Sequence, residues 1–136
     1  MQKAYMQLVA FQRADNLVAI VYQATRELPP EEICGLVLQM RQVACAIPLS
    51  IIEGYAKASR QEFYEGVKHA CASLAELEYL VDLSLRLGYI RAEMHSKLFY
   101  ELTAVNRSLY GLLEGARLTA SFGPGKLAET AASYVC

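Results

Sequence analysis

Four long stretches in which apolar residues recur every three or four positions constrain the fold of this 136-residue chain more than any other feature. This spacing places the apolar side chains on one face of an α-helix, and no strand-like alternation of useful length is found. The predicted helices cover about residues 6–28, 31–58, 60–87 and 92–121. Their apolar faces include Phe11, Ala14, Val18, Val21, Thr25 and Leu28 in the first helix, Phe63, Val67, Ala70, Leu74, Leu77, Val81 and Ser84 in the third, and Met94, Leu98, Leu102, Val105, Leu109 and Leu112 in the fourth.

Helix-ending and helix-starting signals separate these stretches. Leu28-Pro29 ends the first helix, because a residue before proline is pushed out of helical geometry, and Pro30-Glu31-Glu32 is typical of a helix start. Ser59-Arg60-Gln61-Glu62 has the form of a capping box, and Leu87-Gly88 that of a glycine-terminated turn. Short connections force neighbouring helices to run in opposite directions. The sequence therefore predicts an all-α, antiparallel up-down-up-down four-helix bundle.

The bundle accounts for one domain over residues 1–122. The tail from 123 to 136 is too short for a domain, and we expect it to be flexible. Gly111 and Gly115 lie four residues apart near the end of the fourth helix, a spacing that predicts a close approach of another helix, either inside the bundle or between subunits.

Pro48 interrupts the apolar run of the second helix. A proline at this position has no N–H to bond the carbonyl of Ala44, at a cost of roughly 3 kcal/mol in a helix interior. We therefore predict that the second helix is kinked at Pro48 and that packing on both sides offsets the cost.

The charge and apolar content of the chain limit its partners. With 13 basic and 14 acidic residues the net charge is −1, so no overall field draws the chain to nucleic acid or to a membrane, and such a partner must use a local patch. Hydrophobic residues make up 54% of the chain, whereas about 45–50% is average with glycine included. This excess predicts apolar contacts between subunits.

The sequence carries no signal for export. The run from Val43 to Ile52 is about half of the roughly 20 residues that a spanning helix needs, and the N-terminus has no apolar signal core. We therefore expect a cytoplasmic protein without a membrane partner. The four cysteines form no CxxC motif, and we expect Cys34, Cys45 and Cys71 to be reduced and mostly buried.

Short motifs in a fixed order resemble a known family. They are Phe11-Gln12-Arg13-Ala14, Leu28-Pro29 with Glu32, Gly35-Leu36, Gln39-Met40-Arg41, Ala46-Ile47-Pro48, Ile52-Glu53-Gly54, Ser73-Leu74-Ala75-Glu76-Leu77-Glu78 and Leu87-Gly88-Tyr89-Ile90. Together they resemble the four-helix-bundle proteins named for the 23S rRNA intervening sequence, also called S23-type proteins. The accessory variability protein of diversity-generating retroelements is more distantly similar. The resemblance implies a homopentamer around a central channel, and it brings no settled biochemical activity.

The chain departs from the family pattern at the central motif. Where the family usually has paired arginines, this chain has Arg41-Gln42, and the serine and asparagine that usually follow the family's proline are replaced by Leu49 and Ser50. Basic and polar groups are lost here. The departures therefore weaken the implication of nucleic-acid binding more than the implication of the fold.

Charged residues near Pro48 predict an internal charge cluster. Arg41 and Glu53 lie on the second helix and Glu76 on the third, so an arginine fork bonded to one of these carboxylates would satisfy charges that packing partly buries. A partner-binding surface and a catalytic site are the alternatives. Glu78 cannot join Glu76 in acid–base catalysis, because residues two apart on a helix point about 200° apart.

Catalytic and metal-binding motifs are not found in the sequence. Di-iron bundles use Glu-x-x-His motifs, whereas here Glu65 precedes His69 by four residues and His95 follows Met94. Ser73 and the cysteines have no base nearby in sequence. We therefore predict no catalytic residue, no metal and no cofactor, and a protein that is not an enzyme.

Nucleic-acid binding needs clustered cations, and the best cluster lies at the turn between the second and third helices. Lys57 and Arg60 lie at this turn, and Arg13 and Lys68 would join them if the packing brings them close. A solvated helix turn explains the same residues without a ligand.

The sequence thus predicts a non-enzymatic oligomeric protein with a binding or scaffold role. The alternative is a nucleic-acid-binding accessory protein whose partner is RNA or a reverse transcriptase.

Overall fold

The computed structural model describes residues 3–121, with side chains described up to residue 118. Its four long helices are α1 (Val9–Thr25), α2 (Leu36–Ala56), α3 (Arg60–Arg86) and α4 (Ala92–Ser121), and 3₁₀ turns cover Ala4–Gln7 and Pro30–Glu32. Every regular element in this part of the chain is helical, which confirms the all-α fold. The predicted tail from 123 to 136 and the domain boundary at 122 lie outside the described residues.

Each long helix packs against two others in cyclic order. Contacts join α1 to α2, α2 to α3, α3 to α4 and α4 back to α1, which is a helical bundle. Met40 of α2 contacts Ser84 of α3, and Ser50, further along α2, contacts His69, which comes earlier in α3. The two helices therefore run in opposite directions where they pack. These two contacts concern α2 and α3 alone, and the up-down-up-down order of all four helices stays a prediction.

The predicted apolar faces form the core. Every residue that was assigned to the faces of α3 and α4 is buried. In α1 the buried face is shifted from the predicted stripe and is formed by Ala10, Ala14, Leu17, Ile20, Val21, Ala24 and Thr25. Phe11 and Val18 are only half-buried and pack on the rim of this core.

The first helix ends three residues earlier than predicted. After Thr25, the N–H groups of Arg26, Glu27 and Leu28 each bond a carbonyl three residues back. Bonds of this kind tighten the last turn of a helix into 3₁₀ geometry, so the α-helix stops before Pro29 can disturb it.

The second helix begins five residues later than predicted. Pro30-Glu31-Glu32 forms a single 3₁₀ turn, and α2 starts after Gly35. The Glu32 carboxylate accepts a hydrogen bond of 2.9 Å from the N–H of Leu36 and so caps the new helix. A Cβ at position 35 would lie 2.6 Å from that carboxylate oxygen, so a side chain there would force the carboxylate to shift from this position.

Two of the predicted helix ends are confirmed. Ser59 Oγ accepts a hydrogen bond of 3.1 Å from the N–H of Glu62 at the start of α3. After α3, Gly88 adopts a φ of 76°, the left-handed conformation that favours glycine at a helix end.

Pro48 is buried inside α2, which continues as one helix on both sides of it. The kink at Pro48 stays a prediction. Among the described helices, α2 alone is long and apolar enough to cross a membrane by length and composition, a test that the core helix of a bundle also passes. The fully buried Met40, Ala44, Ile47 and Ile51 make α2 a core helix here.

The described cysteines are free thiols, as predicted, but they are not mostly buried. Cys34 is exposed in the connection before α2, and Cys45 and Cys71 are partly exposed. The expectation of burial is therefore wrong for Cys34, which lies outside the helical pattern.

Backbone contact between α2 and α3 is closest at two glycines. A Cβ on Gly66 would lie 2.7 Å from the carbonyl oxygen of Ser50 and 2.9 Å from the Cα of Gly54. Gly111, by contrast, has open space where a Cβ would be, so within the described residues no other helix approaches closely there, and an approach between subunits stays a prediction.

We expect Gly66→Ala to destabilise the protein by about 1–3 kcal/mol, because the added methyl meets backbone that cannot move aside without separating the helices. The matched control, Gly111→Ala, should stabilise it by about 1 kcal/mol through helix propensity alone. Urea unfolding followed by circular dichroism measures both. A Gly66→Ala variant as stable as the wild type would contradict the close approach of α2 and α3.

An ion pair joins the end of α1 to the start of α4. Arg91 Nε and Nη2 donate hydrogen bonds of 3.2 and 3.3 Å to the two carboxylate oxygens of Glu27. These bonds hold the pKa of Glu27 below its ordinary value. Because Arg91 is mostly exposed, the pair contributes little to stability.

Stability from this pair should depend on pH. A carboxylate with a lowered pKa stabilises the folded state above its unfolded pKa, and this contribution is lost as the pH falls through the folded value. We expect Arg91→Ala to lower the melting temperature slightly at neutral pH, with a smaller difference at about pH 3, because the glutamate of the unfolded chain is protonated there. Calorimetry at both pH values tests this, and an equal difference at both would contradict it.

Candidate binding surfaces

Arg41 lies half-buried on α2 and faces α1. Its Nε donates a hydrogen bond of 2.9 Å to Thr25 Oγ1, and its guanidinium carbon lies 4.4 Å from the centre of the Tyr22 ring. A guanidinium at this distance is attracted by the ring face. Arg41 therefore joins the second turn of α2 to the end of α1.

Arg41, Glu53 and Glu76 do not form the predicted charge cluster. Glu53 is 75% exposed and forms an ion pair of 3.6 Å with Lys57. Glu76 is exposed and lines a surface recess between α2 and α3. Twelve residues separate Arg41 from Glu53, which is about 120° of rotation and about 18 Å along the helix, so the two side chains leave α2 in different directions.

The four predicted nucleic-acid contacts are not brought together either. Arg13 lies on the α1–α4 side of the bundle, where it donates hydrogen bonds of 3.3 Å to the carbonyl of Ala104 and 3.1 Å to Ser108 Oγ. Lys57 and Lys68 each lie beside a carboxylate, and Arg60 is partly buried at the start of α3. The turn between α2 and α3 is thus not a free basic patch.

A groove of about 340 Å³ runs between α2 and α3 next to this turn. Three carboxylates, those of Glu53, Glu62 and Glu65, line it beside the single cation of Lys57, so it does not attract phosphate. In the same groove Ser50 Oγ lies 3.2 Å from His69 Nδ1, a pair 19 residues apart that sequence patterns did not indicate.

The Ser50–His69 pair has the partners of a nucleophile and base but not the rest of a hydrolytic site. Acyl transfer needs free N–H donors for the developing oxyanion, whereas Ser50 lies in the middle of α2, where backbone N–H groups bond within the helix. Among residues 3–118, no group of three or more histidine, cysteine, aspartate or glutamate side chains is placed to hold a metal.

A larger groove of about 470 Å³ lies between α1 and α4. It is lined by Arg13, Ser96, Phe99, Tyr100, Glu101, Thr103, Ala104 and Arg107. Phe99 and Tyr100 are 61% and 73% exposed. The sequence did not single out Arg107, although its spacing of seven residues from Tyr100 puts both on one face of α4.

An apolar stripe runs along the outside of α2. We call it the outer stripe; it is formed by Leu38, Cys45, Leu49, Ile52 and Ala56. The spacing of three, four or seven residues is that of one helix face, and this face points away from the core residues of α2. Leu38 and Leu49 are 45% and 59% exposed, so α2 is apolar on two sides and covered on one.

The family model for the 23S rRNA-intervening sequence protein matches residues 6–111. The chain belongs to this family. A solved member of the S23 ribosomal protein family, a protein of unknown function from Bacteroides thetaiotaomicron, matches with a TM-score of 0.71. It is 20% identical, and the match covers 78% of this chain and 96% of that one, so it supports the fold of the 23S rRNA-intervening sequence family. No curated protein matches.

Substitutions at Arg41 and Glu53 test whether they act independently. We expect Arg41→Ala to cost about 1–2 kcal/mol, because it removes a charged hydrogen bond and a cation–π contact. Glu53→Ala should change stability by less than about 0.5 kcal/mol, since Glu53 contacts Lys57 through an exposed ion pair. The double variant should be additive within about 0.5 kcal/mol, and a larger coupling energy would mean that the two side chains meet.

Proposed function

We propose that this member of the 23S rRNA-intervening sequence family is a cytoplasmic, non-enzymatic protein that acts as a homo-oligomer with a binding or scaffold role. The observation that carries the proposal is the outer stripe of α2. When a second apolar surface covers the outer side of such a helix, the free energy falls by about 25 cal/mol for each Å² removed from water.

A second copy of the chain is the occupant that we propose for the outer stripe. Its residues recur at helical spacing, which suits a facing helix better than an irregular loop. The family resemblance implies a homopentamer, and the 54% hydrophobic content is in excess of what one small bundle needs. Five copies would cover the stripe in each subunit if the contact repeats around a ring.

The non-enzymatic assignment is supported by the chemistry of the grooves. The nucleophile–base pair described above lacks an oxyanion donor, and two of the three carboxylates in the α2–α3 groove, those of Glu53 and Glu65, are paired with lysines. A scaffold requires only the fold and the stripe.

Light scattering after size-exclusion chromatography tests the assembly. We expect the wild type to have the mass of five chains, and Leu49→Glu to reduce it to the mass of one chain while keeping its helix content, because a charge then lies in the apolar contact. Leu87→Glu is the matched control, since Leu87 is 51% exposed but lies beyond the end of α3. A monomeric wild type, or equal effects of the two variants, would overturn the proposal.

Nucleic-acid binding is the second candidate function, with RNA or a nucleic-acid enzyme such as a reverse transcriptase as partner. The observation that favours it is the groove between α1 and α4, where arginines and exposed aromatic rings occur together. The kinship with the accessory variability protein remains part of this proposal.

A further inference from the structure

We propose that the groove between α1 and α4 binds single-stranded nucleic acid, with Tyr100 and Phe99 stacking on bases and Arg107 and Arg13 contacting phosphates. This inference rests on the second candidate function and places its site on a different side of the bundle from the turn at Lys57 and Arg60.

The charges of the groove are the first support. Within residues 3–118, the ion pairs involve neither Arg13 nor Arg107; Arg13 bonds only neutral oxygens, the carbonyl of Ala104 and the hydroxyl of Ser108. Glu101, the one carboxylate of the lining, accepts a hydrogen bond of 3.4 Å from Asn16. Two guanidinium groups without a carboxylate partner thus face one groove, and an anion is their complement.

The contrast with the turn after α2 is the second support. Lys57 and Lys68 lie 3.6 and 3.8 Å from the carboxylates of Glu53 and Glu65, so a phosphate there would have to displace an ion pair. The α1–α4 groove carries no such pair. The less obvious of the two basic regions in the sequence is therefore the better anion site in the structure.

Aromatic rings decide which anion fits. Tyr100 is 73% exposed, and Phe99 is 61% exposed with its ring stacked on His95 at a centroid distance of 6.4 Å. His95 Nε2 in turn lies 2.9 Å from Asp82 Oδ1, and this contact holds the His95 ring on which Phe99 stacks. Exposed rings beside arginines form the stacking platform of proteins that bind single strands, where each stacked base contributes about 1–3 kcal/mol.

The spacing along α4 suits a strand better than a compact ligand. Tyr100 and Arg107 are two turns apart on one helix face, about 10.5 Å along the axis. An acidic peptide would use the arginines and leave the rings without a planar partner, so we argue for the nucleic acid and treat the peptide as an outcome of the test.

Fluorescence anisotropy with end-labelled oligouridine and oligothymidine at low salt provides the experiment. We expect the wild type to bind both, and we expect Arg107→Ser and Tyr100→Ser each to weaken binding about tenfold, whereas Tyr100→Phe keeps it because the ring remains. Arg107→Ser should also lower the slope of log affinity against log salt by about 1. Lys57→Ser and Lys68→Ser are the matched controls, since each removes a paired cation, and should change affinity less than about twofold.

Four results would overturn the inference. If neither oligonucleotide binds, the nucleic-acid function itself fails. If the lysine variants lose binding and the Arg107 and Tyr100 variants keep it, the function stands but the site lies at the turn. If polyglutamate competes as well as oligouridine and Tyr100→Ser has no effect, the groove takes acidic peptides. If Arg107→Ser changes the mass of the assembly and not the affinity, the groove is a contact between copies. Binding of one oligonucleotide alone supports the inference and shows that the groove distinguishes the two strands.

Discussion

The close packing of α2 on α3 is the contact on which the rest of the bundle depends. At Gly54 and Gly66 the two backbones approach so closely that a single Cβ would lie 2.7 Å from a carbonyl oxygen. This approach fixes the rotation of α2, so that Met40, Ala44, Ile47 and Ile51 enter the core. The same rotation leaves the outer stripe of α2 on the surface.

Helix α2 is therefore apolar on two opposite faces, and a single chain covers only one of them. Burial of the inner face of α2 stabilises the fold, whereas exposure of Leu38 and Leu49 costs free energy in water. The second copy proposed above would cover this stripe and remove these leucines from water. Charged side chains, in contrast, line the two grooves of the bundle. The α2–α3 groove carries carboxylates, and the α1–α4 groove carries arginines beside aromatic rings.

Local signals in the sequence were sufficient where a bond is made between near neighbours. Ser59 caps α3 and Gly88 ends it because each acts within four residues of itself. The predicted start of α2 is wrong because two possible helix starts compete there. Pro30-Glu31-Glu32 is a good helix start, but the Glu32 carboxylate instead caps a helix that begins at Leu36. Propensity alone cannot rank these two solutions, since the second also depends on the glycine at position 35.

The amino-acid sequence by itself determined the all-α bundle, its four helices and most of its core, because the 3–4 spacing of apolar residues leaves one way to bury them. It also carried enough of the family's motifs to identify the family. Only the tertiary structure decided which charged residues share a surface. Arg41 contacts α1, whereas Glu53 pairs with Lys57. Arg13 and Arg107, 94 positions apart in sequence, line the same groove. The sequence could not show this, because side-chain neighbours between helices depend on the rotation of each helix about its axis.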